Sequence, residues 1–267
     1  MSKKTTVSTI AKRYASGEKL VMVTCYDAPA ARIAMDSGID FLLVGDSVAM
    51  TMLGLSSTIP MTMEEMLHHT RAVRRGAPDA LVILDMPFMS YQADMAEALR
   101  NAARALKEAG ADAVKLEGGA EQAPLVAKLV ESGIPVVAHI GLMPQHVNSL
   151  GGYKVAGRTD AEAEKLIADA KALESAGAFA IVLECTPAAL AKKVTELLHI
   201  PTIGIGSGSA CAGQVQVLHD LLGLGAGDFL PRHAKRYADL SKIAKEALSQ
   251  YAEEVKSGKF PTEENSF

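Results

Sequence analysis

The feature that most constrains the fold is a phrase that keeps returning: a helical stretch closes on glycine, one or two residues turn, and a short β-branched run follows. The closing glycines are Gly38, Gly76, Gly110, Gly133 and Gly177, each placed where a helix end favours the left-handed conformation that glycine adopts cheaply. Behind them stand Phe41-Leu42-Leu43-Val44, Leu81-Val82-Ile83-Leu84, Ala113-Val114-Lys115-Leu116, Val136-Val137-Ala138-His139 and Ala180-Ile181-Val182-Leu183. Val21-Met22-Val23-Thr24 before the first unit, with Thr202-Ile203-Gly204-Ile205 and Gly227-Asp228-Phe229-Leu230 after the last, bring the strand candidates to eight. Segments of helical period rich in Ala, Leu and Glu lie between them, as at 95–108 and 161–175.

Nearly continuous apolar strands that alternate with helices belong in a parallel sheet covered on both faces, and eight such units close into a (β/α)8 TIM barrel. A doubly wound open sheet is the alternative architecture. The 267 residues suit a single barrel domain over 1–267. Hydrophobic residues make up 49% of the chain and Trp is absent, so the core must come from Val, Ile, Leu, Ala and Met. Val7, Ile10, Ala11 and Tyr14 recur at helical spacing, which predicts an extra N-terminal helix plugging the barrel bottom. Connections into strands are short, whereas 45–63 and 140–159, leaving strands two and five, are long and Gly-rich; they mark the working face, where barrel strands end.

Ionisable residues gather at that end. Strand two runs out at Gly45-Asp46-Ser47, strand three at Asp85, strand five at His139 and strand six at Glu184. On strand four Lys115 and Glu117 share one side, opposite apolar Leu116, and that side faces the interior. Each also has a plainer reading: Asp46 as a cap, Asp85 as a turn former, Lys115–Glu117 as a structural ion pair, His139 as a satisfied core histidine. Glu184 has no partner in sequence, and an unpaired buried carboxylate costs several kcal/mol. Aspartates without Cys or paired His ligands form a hard oxygen site suited to magnesium rather than zinc.

Other motifs carry less. Gly204-Ile205-Gly206-Ser207-Gly208 could cradle a phosphate but lacks P-loop spacing. His68 and His69 are adjacent, not four apart, and cannot form a helical metal pair. Met50, Met52, Met61, Met63 and Met66 read as core filling or as a pliable lid. A net charge of -4 without a basic run argues against nucleic acid. No apolar run spans a membrane and no signal core opens the chain, and the odd set Cys25, Cys185 and Cys211 encodes no disulfide framework, so a soluble cytoplasmic protein is expected.

The blocks Leu43-Val44-Gly45-Asp46-Ser47, Ser57-Thr58-Ile59-Pro60, His69-Thr70-Arg71-Ala72-Val73-Arg74-Arg75-Gly76-Ala77-Pro78, Asp85-Met86-Pro87-Phe88 and Val114-Lys115-Leu116-Glu117-Gly118-Gly119 stand in order along the chain. They are followed by His139-Ile140-Gly141-Leu142-Met143-Pro144-Gln145, Gly151-Gly152-Tyr153-Lys154-Val155, Val182-Leu183-Glu184-Cys185 and Ile203-Gly204-Ile205-Gly206. Together, over 19–240, they closely resemble the 3-methyl-2-oxobutanoate hydroxymethyltransferase family, which forms ketopantoate (2-dehydropantoate) in pantothenate biosynthesis, on the coenzyme A pathway. The resemblance implies a barrel of the phosphoenolpyruvate/pyruvate superfamily, Mg2+, 5,10-methylenetetrahydrofolate as hydroxymethyl donor, 3-methyl-2-oxobutanoate as acceptor, and a decamer. It implies Asp46, Asp85 and Glu117 at the metal site, Asp46, Ser47, Asp85 and Lys115 around the oxo acid, Glu184 as proton acceptor and His139 beside the substrate. Lys115 would add positive charge during enolisation. Ala212 stands where an acidic residue is common, and His233-Ala234 where an aromatic and aliphatic pair is usual; these bear on the top loops and C-terminal packing. The competing readings are a Mg-dependent carbon–carbon lyase of the same superfamily and a non-catalytic metabolite-binding barrel.

Overall fold

The computed structural model describes residues 4–225 and 230–267. The chain divides into two compact units, Met1–Val217 and Leu218–Phe267. In the first, eight parallel strands close into a barrel in chain order: β1 Leu20–Thr24, β2 Phe41–Val44, β3 Leu81–Asp85, β4 Ala113–Glu117, β5 Val136–Gly141, β6 Ala180–Glu184, β7 Thr202–Ile205 and β8 Gly213–Gln216. The helices of this unit are α1 Val7–Ala15, α2 Ala28–Asp36, α3 Val48–Thr51, α4 Met63–Gly76, α5 Met95–Ala109, α6 Ala123–Glu131, α7 Val147–Leu150, α8 Asp160–Ser175 and α9 Ala188–Leu197. The second unit carries α10 Leu218–Leu222 and α11 Leu240–Lys256. Among the described residues no helix is long and apolar enough to cross a membrane.

Pairing of β8 with β1, from Leu20↔Gly213 to Val23↔Gln216, closes the sheet and excludes the doubly wound alternative. Alternation along each strand then sorts the side chains. Leu20 and Met22, Phe41 and Leu43, Leu81 and Ile83, Ala113, Val137, Ala180 and Val182, Ile203 and Ile205, and Val215 form one buried cluster, the barrel interior. Ile10 of α1 is fully buried in that cluster with Val7 and Tyr14 packed against it, so the expected plug is present. The helices enter through side-chain caps: Thr62 and Glu65 form a capping box on α4, Thr159 and Glu162 another on α8, and Asp94 caps α5. At strand entries Asp40 accepts from the Val21 N–H at 2.7 Å and pairs with Arg13, and Asp112 accepts from the Val82 N–H at 3.0 Å and pairs with Arg74.

Two expectations need correction. The eighth strand is Gly213–Gln216, not 227–230, of which residues 227–229 lie outside the described residues. Residues 206–212 return from β7 to β8 through turns without a helix, so a reading that looks for strand, helix, strand searches one unit too late. Gln214 and Gln216 also break the apolar run by which a strand is recognised. The departure at Ala212 therefore sits at the entry to β8, where its carbonyl accepts from the Leu20 N–H at 3.0 Å, and not in a top loop. The second correction is Gly76. Gly38, Gly110, Gly133 and Gly177 take positive φ as expected, but Gly76 does not. It ends α4 where a Cβ would lie 2.1 Å from the Ala28 carbonyl oxygen of α2, so glycine is required there by close helix approach.

Candidate active site

The alternation that fills the barrel with apolar side chains low down delivers charge at the top. Inward positions run Leu81, Ile83, Asp85 on β3, Ala113, Lys115, Glu117 on β4, Val137, His139 on β5 and Ala180, Val182, Glu184 on β6. Register places Asp85 beside Lys115 and Glu117 beside His139. Asp46, Asp85, Lys115, Glu117 and His139 are all buried, and the Glu184 side chain is 14% exposed.

Lys115 Nζ donates to Asp85 Oδ1 at 2.6 Å and lies 3.8 Å from Glu117 Oε1. The sequence reading paired Lys115 with Glu117 along one strand; its nearer partner is Asp85 on the adjacent strand. The other Asp85 oxygen accepts from the Asp46 N–H at 3.3 Å. Asp46 Oδ2 accepts from Gln145 Nε2 at 3.0 Å, so its carboxylate is turned inward rather than capping a local turn. Ser47 is half-buried, with its hydroxyl 2.8 Å from that of Tyr26. His139 stands between two acids, Nδ1 3.4 Å from Glu117 Oε1 and Nε2 3.2 Å from Glu184 Oε2, although neither contact has hydrogen-bond alignment.

Gln145 and Tyr91 are the functional-site residues that sequence reasoning missed. The Gln145 side chain donates to the Met86 carbonyl at 2.9 Å as well as to Asp46, and its backbone N–H donates to Glu117 Oε2 at 3.1 Å. Tyr91 places its hydroxyl 3.0 Å from Gln145 Oε1 and accepts from the Glu117 N–H at 3.0 Å. Tyr91 lies in a loop and Gln145 in the single 3-10 turn Pro144–His146, both without periodicity, and nothing in residue type separates Gln145 from an ordinary turn glutamine.

Burial is the largest influence on each charge here. It raises Asp46 well above the usual carboxylate range, with Asp85 and Glu117 adding to the rise. Burial likewise raises Asp85 against the opposing pull of Lys115. Glu117 is held low because His139 and Lys115 outweigh its burial. Burial and Lys115 push His139 down, but Glu117 and Glu184 outweigh them and lift it to about 9. Lys115 is raised despite burial by Asp85, Glu117 and Asp46. Lys115 and His139 thus stand among four carboxyl groups, Asp46, Asp85, Glu117 and Glu184.

The donor set fits a hard cation. Asp46 and Asp85 are adjacent, buried and oxygen-only, and magnesium takes one or two carboxylates directly while keeping several waters. Among the described residues no group of three or more His, Cys, Asp and Glu is arranged to hold a metal ion, so the fit rests on the two aspartates.

The secondary motifs resolve into structure. Ser207 spends its hydroxyl on the Leu183 carbonyl at 2.8 Å and on the Thr186 N–H at 3.1 Å, tying the β6 and β7 ends together. His69 Nδ1 lies 2.8 Å from the Tyr26 carbonyl oxygen, and His68 is exposed. Met61 and Met66 are buried, whereas Met50 and Met52 are exposed.

A sequence profile of the ketopantoate hydroxymethyltransferase family matches residues 4–263. The chain belongs to that family. It is 60% identical over 262 residues to 3-methyl-2-oxobutanoate hydroxymethyltransferase of Carboxydothermus hydrogenoformans, covering 98% of this chain and 95% of that one. The enzyme of the same name from Geotalea daltonii is 56% identical over 267 residues, with both chains fully covered. In fold the chain is similar to 2,3-dimethylmalate lyase, a member of the PEP mutase/isocitrate lyase superfamily, with a TM-score of 0.61 at 17% identity over 96% of this chain and 88% of that one. The protein is a hydroxymethyltransferase on a closed eight-stranded barrel.

Proposed function

We propose that the protein transfers a hydroxymethyl group from 5,10-methylenetetrahydrofolate to 3-methyl-2-oxobutanoate with Mg2+ bound at Asp46 and Asp85, forming 2-dehydropantoate in pantothenate biosynthesis. The reading rests on one observation: in a chain of this family, Asp46, Asp85, Lys115, Glu117, His139 and Glu184 converge at the barrel mouth. Magnesium, when bound, supplies Lewis-acid polarisation of the ketone, a contribution of several kcal/mol.

The remaining work falls to the chain. Asp46 and Asp85 hold the cation, and Glu117 adds a third negative charge to the same site. Lys115, fixed by Asp85, supplies positive charge where the oxo acid's oxygens gather, in a setting whose low dielectric strengthens it. Ser47 offers a hydroxyl at the rim. Glu184 takes the proton from the third carbon, a step for which a placed base contributes about 10²- to 10⁴-fold. His139 stands between Glu184 and Glu117, 3.2 Å from the base, beside the substrate's place. The carbon freed of its proton bonds to the donor's methylene; the methylene's bonds to the donor nitrogens break, water adds the hydroxyl, and tetrahydrofolate leaves with its protons restored. Small-molecule substrates, a homodecameric assembly and a cytoplasmic setting complete the proposal.

The test is direct. The protein is mixed with both substrates with and without magnesium, and 2-dehydropantoate is followed; product only with both substrates and metal is expected. Cleavage of a 2-oxo or 2-hydroxy diacid without the folate would favour the lyase reading instead.

A further inference from the structure

The loop that leaves β3 turns sharply and brings one phenol against the end of β4. The Ser90 N–H donates to the Pro87 carbonyl at 3.0 Å, closing a turn that holds Met89 at a φ of 64°, and the Asn101 side chain of α5 donates to the Ser90 carbonyl at 2.8 Å. A left-handed residue other than glycine persists where its surroundings over-determine it. Here the turn delivers Tyr91, which is buried although Met89 itself is exposed.

The Tyr91 hydroxyl joins a strand end to a turn. It accepts from the Glu117 N–H at 3.0 Å and stands 3.0 Å from Gln145 Oε1, with the Glu117 carbonyl oxygen at 3.1 Å. A backbone N–H can only donate, so the phenol's own proton is left for those two oxygens. Gln145, also buried, gives both hydrogens of its amide nitrogen to acceptors: Nε2 reaches Asp46 Oδ2 at 3.0 Å and the Met86 carbonyl at 2.9 Å. Its oxygen therefore needs donors, and these are Tyr91 and, at 3.3 Å, Gln92 Nε2. With the amide turned over, that oxygen would face a carboxylate and a carbonyl, both acceptors, and the bond to Asp46 would be lost. The backbone N–H of Gln145 also holds Glu117 Oε2 at 3.1 Å. One phenol is thus bonded to the backbone of one site acid and to the residue that grips two of them.

We infer that Tyr91 is a positioning residue for the site acids: its hydroxyl sets which end of the Gln145 amide faces Asp46 and, through it, the aim of that carboxylate. Tyr91 forms no bond to Asp46 or Asp85 among the described residues and acts through Gln145. The inference rests on the proposed binding of Mg2+ at Asp46 and Asp85 and adds to it the group that keeps one ligand in place.

The test is a double-variant cycle on the full chain. Magnesium is titrated by calorimetry, in the presence of 3-methyl-2-oxobutanoate, into wild type, Tyr91→Phe, Gln145→Leu and the double variant, and the thermal midpoint of each is measured without metal. Tyr91→Phe keeps the buried ring and loses one oxygen. Its magnesium affinity is expected to fall about 10-fold, the lower end of the roughly 10- to 100-fold typical of partners that orient metal ligands. With Gln145→Leu already in place the same change is expected to cost less than about twofold, the margin within which such cycles are read. A tyrosine that served only the fold would lower the midpoint and weaken magnesium by the same factor in both backgrounds. Equal losses of that kind overturn the inference, as does wild-type magnesium affinity in Tyr91→Phe. Failure of Tyr91→Phe to fold also overturns it, because the hydroxyl would then belong to the fold and not to the aim of a carboxylate. A wild type without magnesium-dependent binding of the oxo acid removes the metal reading itself, before any variant is compared.

Discussion

Gln145 donates its side-chain N–H to Asp46 Oδ2 at 3.0 Å, from a position 99 residues further along the chain. The same residue gives its backbone N–H to Glu117, so one loop glutamine fixes two of the site acids. Removing an orienting partner of a metal-binding carboxylate typically costs about 10- to 100-fold in metal affinity. Gln145→Leu is therefore expected to weaken magnesium-dependent binding of 3-methyl-2-oxobutanoate by that factor while the barrel still folds. Calorimetric magnesium titration in the presence of the oxo acid checks this; an unaltered midpoint would remove Gln145 as a positioning residue.

Asp46→Ala and Asp85→Ala test the metal directly. Each takes away one of two adjacent buried carboxylates, and Asp85→Ala also strips Lys115 of its 2.6 Å partner. Both are expected to abolish magnesium-dependent binding of the oxo acid. Normal titration by both variants would refute the assignment of these ligands.

Glu184→Gln keeps the shape of the side chain facing His139 but cannot accept a proton. Binding of the oxo acid should persist, whereas hydrogen exchange at its third carbon should fall by about 10²- to 10⁴-fold, the range a positioned base supplies. Exchange at the wild-type rate in this variant would assign the proton transfer to another group.

How far these residues could be read without coordinates follows from the range of the interactions that place them. Lys115 and Glu117 were legible because a strand alternates every two residues, and an apolar Leu116 between them leaves one inward face. The barrel and its N-terminal plug were legible for the same reason, since local periodicity encodes both. The Asp85–Lys115 pair was not, because it depends on register between two strands. Gln145 and Tyr91 act through contacts that span 26 to 99 residues with no periodic mark. The eighth strand was misplaced where a seven-residue return replaces a helix and glutamines replace apolar residues.

Cys185, next to Glu184, holds a positive φ of 46° and is half-buried. Burial, with the charge of Glu184, pushes its thiol up to about 11. At pH 8 only about one thiol in a thousand is then ionised, against roughly a quarter for an ordinary cysteine. Alkylation at Cys185 by iodoacetamide, followed by peptide mass spectrometry, should accelerate about tenfold per pH unit between about pH 7 and pH 10. A rate that levels off near pH 9 would contradict the raised thiol.

Gly76 allows a comparison between two reasons for glycine. At Gly38 φ is +80° and nothing lies within 4 Å of an added Cβ, so alanine there meets only backbone strain of about 1–2 kcal/mol. At Gly76 the backbone closes a helix without positive φ, and alanine would gain up to about 1 kcal/mol of helix propensity. Against that gain stand Ala28 atoms at 2.1 Å and 2.6 Å, all of them backbone, which no rotamer change can move. Separating α2 from α4 disturbs buried contacts of Ala31, Ala34, Thr70 and Val73, and overpacking of that kind costs about 1–3 kcal/mol or more. Gly76→Ala should therefore lower the thermal midpoint more than Gly38→Ala, despite its ordinary backbone. Equal or smaller loss at position 76 would mean that the two helices can part without penalty.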